Sequence, residues 1–121
     1  MKENIFGFPC DIYPRGMWVS VGVTIERLRE IFDIDADELD ESCNADTCQV
    51  INRKENLAGY LVRFEDIDKM TAHEISHEAS HVAMMIFRDI GAEVDLDNQE
   101  PFAYLVSWAA NKISDVRAKL L

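Results

Sequence analysis

A chain of 121 residues has the length of one domain, expected to span 1–121. With 48% apolar residues it can bury a hydrophobic core without disulfide staples. Its 23 acidic and 12 basic residues give a net charge of −11, which repels phosphate backbones and anionic lipid and attracts cations. Nucleic acid and membrane surfaces are therefore poor partners. No apolar run approaches the roughly 20 residues of a membrane span. The opening Met1-Lys2-Glu3-Asn4 lacks a basic segment followed by an apolar one, so a cytoplasmic setting is expected. The three cysteines, Cys10, Cys43 and Cys48, are odd in number and form no C-x-x-C, as reduced, buried thiols would. A contribution of Cys43 and Cys48 to a metal site is the alternative.

Residues 1–16 hold Gly7, Pro9, Pro14 and Gly16 and read as an irregular lead-in. Met17 to Val23 is rich in β-formers and predicts a strand. Thr24 is placed to cap a short helix through Phe32, in which Ile25, Leu28, Ile31 and Phe32 recur at helical spacing. Residues 33–46 carry seven acids and read as a solvated loop. Asp33-x-Asp35-x-Asp37 starts like a calcium loop, but Leu39 stands where the mid-loop glycine belongs. Thr47–Asn52 and Leu57–Phe64 are β-type runs joined by Arg53-Lys54-Glu55-Asn56, which predicts a hairpin. Thr71 followed by Glu74 matches a capping box, and apolar residues continue to about Phe87 before Gly91 supplies a stop. A second long helix follows, with Pro101 in its first turn and the stripe Phe102, Leu105, Val106, Ala109, Ile113 and Val116. Helices packed on a small sheet make the expected class α+β.

All three histidines, His73, His77 and His81, fall in one helical segment at spacings of four and four. By counting, three randomly placed histidines do this in roughly one chain of this length in 2,500, so chance is a poor account. Residues four apart share a helix face, so two imidazoles can converge on one ion. Zinc takes neutral nitrogen ligands without a rigid geometry of its own. Two H-E-x-x-H frames overlap, His73-Glu74 to His77 and His77-Glu78 to His81. The second is preferred, because Glu74 is engaged in the cap and His73 lies in the fraying first turn. A catalytic zinc wants a third protein ligand. Glu100, nineteen residues beyond His81 at the start of the next helix, is the candidate, with Asp95 and Asp97 as substitutes. Glu78 would be the general base for a metal-activated water. Tyr104, four residues after Glu100, could hydrogen-bond a developing oxyanion, although a helix tyrosine is more often packing. His73 would support the site, face substrate or be solvated. A pH-sensitive histidine face is the non-metal alternative.

At His77, Glu78, His81 and Glu100 the sequence resembles the zincin metallopeptidases of the glutamate-ligand branch, the gluzincins. It also resembles small proteins of bacteriophages and prophages classed as metallopeptidases. That likeness rests on Ile12-Tyr13-Pro14-Arg15-x-x-Trp18-Val19, on His77-Glu78-Ala79-Ser80-His81-Val82-Ala83, on Ile90-Gly91 and on Glu100-Pro101-Phe102-Ala103-Tyr104-Leu105-Val106-x-Trp108. The resemblance covers most of the chain and implies a minimal zincin: a small, mainly antiparallel sheet, a metal-binding helix and a glutamate helix. It implies a zinc-dependent hydrolase acting on peptide or protein in a bacterial host, where the protein is cytoplasmic or virion-associated. The peptide would be held by strand addition along an edge that the hairpin could supply. The alternative is a non-catalytic zincin-fold phage protein that serves in assembly or binds a host protein. The additional His73 frame departs from the family pattern.

Overall fold

A computed structural model describes residues 3–10, 12–35 and 38–121. The elements run β1 (Ile5–Pro9), β2 (Gly16–Val21), α1 (Ile25–Ile31), β3 (Phe32–Asp33), β4 (Ala45–Asn52), β5 (Leu57–Phe64), a 3₁₀ turn (Ile67–Lys69), α2 (Ala72–Ile90) and α3 (Glu100–Leu120). The class is α+β. By packing, the chain divides into two compact units, Met1–Met70 and Thr71–Leu121. No helix among the described residues is long and apolar enough to cross a membrane.

The first unit is a five-stranded sheet in the order β1-β2-β5-β4-β3. Three of its pairings are antiparallel and one, β2 with β5, is parallel. The predicted hairpin is present, with Asn52 opposite Leu57 and Ala45 opposite Phe64. It does not lie at an edge. β5 is held between β2 and β4, and the edges are β1 and the two-residue β3.

The segment read as an irregular lead-in contains an edge strand, β1, paired antiparallel to β2. Its turn-forming residues have positional reasons. Pro9 closes the strand, where its missing N–H costs no ladder bond. A Cβ at Gly7 would stand 3.0 Å from the Trp18 indole, which leaves little room for a side chain. Gly59 is the strictest position: a Cβ there would lie 2.0 Å from the Gly16 carbonyl oxygen across the parallel pair.

The expected α1 forms, with Thr24 Oγ1 accepting from Arg27 N at 3.2 Å, but it ends at Ile31, because Phe32 turns extended and opens β3. It adds Leu28 to a core of Trp18, Phe32, Leu39, Cys48, Val50 and Leu61, in which the Trp18 and Phe32 rings stand 5.3 Å apart. Most of the described residues of the acidic stretch 33–46 are exposed, as expected of a solvated loop. Leu39 is buried, and the buried Arg63 side chain grips the loop from β5. Arg63 donates to Asp46 Oδ1 and to the carbonyl oxygens of Asp40 and Cys43, each at 2.9 Å. Of the calcium-loop-like triplet, Asp37 lies outside the described residues.

The second unit is a helix pair. Thr71 caps α2 by accepting from Glu74 N at 3.2 Å. Gly91 ends it in the left-handed region at φ 73°, while Ala92 N donates to Phe87 O at 2.9 Å and Gly91 N to Arg88 O at 3.3 Å. That pair of bonds is a Schellman closure and needs a residue without a Cβ penalty. α3 packs against α2, with the Phe87 and Phe102 rings edge-on at 5.4 Å. Pro101 sits in its first turn as expected, and Leu105, Trp108, Ala109, Ile113 and Val116 are buried.

Candidate metal centre

α2 places His77 and His81 one turn apart, and their rings converge. The two Nε2 atoms are 3.2 Å apart, with ring centroids at 4.8 Å and planes at 77°. In this state one ring can donate its N–H to the other, with the roles set by the tautomers. The separation is also a metal bite. Two nitrogens at the usual zinc distance of about 2.05 Å, at a tetrahedral angle, stand about 3.3 Å apart. Binding an ion there requires a tautomer change rather than a rearrangement of the helix. His73 is arranged differently. Its ring lies 6.2 Å from that of His77 and nearly parallel to it, at 26°, a stacked geometry.

Glu78, one step round the helix from His77, is 3% exposed and lies on the face that also buries Ile75, Ala79 and Val82. Ser76 and Ser80 direct their hydroxyls back into the helix, to the carbonyl oxygens of His73 at 3.0 Å and Ser76 at 2.8 Å. The exposed residues of α2 are Ala72, His73, Ser76, His77, Met84, Arg88 and Ile90, none of them acidic.

The structure does not bring Glu100 to the histidine pair. Glu100 is the exposed first residue of α3, two residues before Phe102, and Phe102 packs on Phe87 in the last turn of α2. His81 and His77 lie six and ten residues before Phe87, about 9 and 15 Å back along the helix axis at 1.5 Å per residue. Asp95 and Asp97 are exposed in the connecting turn, where Asp95 Oδ1 accepts from Asp97 N at 2.9 Å. Among the described residues no group of three or more His, Cys, Asp or Glu side chains is assembled that could hold a metal ion. The site thus fits zinc through two donors, with the remaining positions to be filled from elsewhere.

Tyr104 is half exposed and lines a shallow groove on α3 with Ser107, Trp108 and Asn111. All three cysteines are free thiols. Burial, followed by the Asp46 and Glu38 carboxylates, pushes Cys48 up to about 12. Burial and the charges of Asp40 and Asp46 also raise Cys43. A metal binds thiolate, so these shifts work against the cysteine alternative. The interaction that sequence reading missed is the clamp of Arg63 on the acidic loop. Its one linear signal is a lone arginine among the apolar residues of β5.

Compared with family models, with curated proteins and with solved structures, the chain matches none.

Proposed function

We propose that the chain is a zinc-dependent hydrolase of peptide bonds, with the ion on His77 and His81. The observation that supports this reading is the 3.2 Å separation of the two Nε2 atoms, the spacing of neighbouring ligands on one tetrahedral ion. Zinc bound there would supply a water acidified toward neutrality and a Lewis acid for a carbonyl. The two imidazoles would hold the ion through Nε2, with their ring protons on Nδ1. Glu78 takes the proton from the attacking water and returns it to the leaving amine; its low exposure keeps that carboxylate out of bulk water. Glu100 is the proposed third donor and Tyr104 the proposed oxyanion partner. The role of Glu100 requires the first turn of α3 to move toward the pair.

A second reading is favoured by the position of Glu100 at the far end of α2: a zinc-binding module without turnover that serves a phage or host protein partner. One experiment separates the two. Wild-type protein and Glu78→Gln are loaded with zinc, the metal is quantified, and both are assayed on a quenched-fluorescence peptide library. The hydrolase reading expects cleavage by wild type and a loss of at least about 100-fold in the variant at unchanged zinc content. Equal rates would refute the role of Glu78, and zinc-loaded wild type without any cleavage leaves the binding module.

A further inference from the structure

We propose that two copies of the chain share one ion: His77 and His81 of each supply two of four imidazole donors on a two-fold axis between their α2 helices. The inference rests on the metal reading above and names what completes that site.

Four features of α2 carry it. First, the pair is half of a tetrahedral site already set at the right spacing, 3.2 Å between nitrogens. A second identical pair, turned by the two-fold axis into a perpendicular plane, fills the other half, and zinc accepts four neutral nitrogens. Second, no third protein donor stands with the pair among the described residues. Third, the pair opens outward: His77 is exposed and His81 half-buried. Ser76 and Ser80, the small residues beside it, have turned their hydroxyls onto their own helix, so neither presents an unsatisfied hydroxyl next to the pair.

The fourth feature identifies the occupant. At a net charge of −11, two copies repel over most of their surfaces. The exposed residues of α2 include no carboxylate; Glu78 is buried, and Glu74 and Asp89 are half-buried. Like-charged chains can meet at this face without opposing exposed carboxylates, and a dication placed between them offsets part of the repulsion that remains. The exposed Met84, seven residues after His77 on the same face, supplies apolar cover beside the ion.

The arrangement has a consequence for the proposed activity. Four protein donors leave no position for water, as in structural zinc sites. The two-copy form is therefore closed, and any hydrolysis belongs to the single chain.

The test is sedimentation equilibrium of the full chain at about 20 µM with zinc at half an equivalent, with one equivalent and with chelator, with bound metal quantified in each state. Cobalt(II) serves as a second probe because its visible absorption reports four-coordinate tetrahedral geometry. The expected result is a particle of twice 13.8 kDa holding one zinc, a single chain in chelator, and intense tetrahedral cobalt bands. His81→Ala and His77→Ala should abolish the dimer and His73→Ala retain it, with helical circular dichroism confirming that each variant is folded. One zinc per single chain would overturn the shared site and leave the metal reading intact. Absence of zinc uptake would overturn both. A dimer that persists in chelator, or one lost in His73→Ala, would overturn the assignment of this face and this pair.

Discussion

Replacing Arg63 with methionine keeps a long stem in β5 and deletes the guanidinium that clamps the acidic loop. Arg63 and Asp46 side chains are 5% and 15% exposed, so their 2.9 Å contact lies outside the regime of surface pairs, which contribute about 0–1 kcal/mol. The change also strips donors from the carbonyl oxygens of Asp40 and Cys43. Breaking a buried pair by removing one partner costs about 3–5 kcal/mol, chiefly because the other charge is left uncompensated. Against a total stability of about 5–15 kcal/mol, that is a large fraction. The assay is urea unfolding followed by circular dichroism, for wild type, Arg63→Met, Asp46→Asn and the double variant. With a slope of about 2 kcal/mol per molar, the Arg63→Met midpoint should fall by about 2 M. The double variant should recover part of the loss, since it no longer buries an unpaired carboxylate. A drop below about 1 kcal/mol in Arg63→Met, or strict additivity across the cycle, would show that the loop is held by its own turns and that the clamp is incidental.

Gly59→Ala should cost more than about 3 kcal/mol, because its Cβ would lie 2.0 Å from the Gly16 carbonyl oxygen. Gly91→Ala, which meets nothing within 4 Å, should lose only the left-handed backbone cost of about 1–2 kcal/mol; urea midpoints measure both. Zinc at a hundred times its dissociation constant should stabilise the protein by about 2.7 kcal/mol, read as a rise in thermal midpoint. His77→Ala and His81→Ala should lose that rise and His73→Ala keep it; an equal loss in His73→Ala would move the site to the first frame. Cys48, pushed up to about 12 from 9.0, stays protonated in the fold longer than in the unfolded chain. Its stabilising contribution is therefore complete below pH 9 and lost as pH rises toward 12. Urea midpoints at pH 8 and 10.5 should fall more steeply for wild type than for Cys48→Val, and parallel falls would refute the assignment.

Local signals in the sequence led to much of this structure, and the failures have identifiable physical causes. Thr24, Thr71 and Gly91 mark helix ends because capping needs only a few adjacent residues, and the β4–β5 hairpin follows from two β-runs separated by four polar residues. β1 was not legible because Gly7 and Pro9 read as turn residues; their reason is the Trp18 indole and the strand's position at the edge. The parallel pairing of β2 with β5 brings together residues some forty positions apart, and no local pattern announces it. The same holds for Arg63, whose partners lie 17 to 23 residues away.

The candidate site divides along that line. Its histidine pair is a one-turn relation, so the sequence spacing carries most of the geometry, and the structure adds only the convergence of the two Nε2 atoms. The same spacing offered two frames; ring orientation distinguishes them, stacked for His73 with His77 and edge-on for His77 with His81. Glu100 depends on a tertiary relation, the level at which α3 packs on α2. The Phe87–Phe102 contact places that level at the end of α2 opposite to the one where the histidines begin. Sliding α3 by two turns toward the histidines would separate the Phe87–Phe102 pair and uncover it. Bringing Glu100 to the histidine pair within one chain therefore costs native packing. A second His77–His81 pair, brought by another copy, would leave that packing intact.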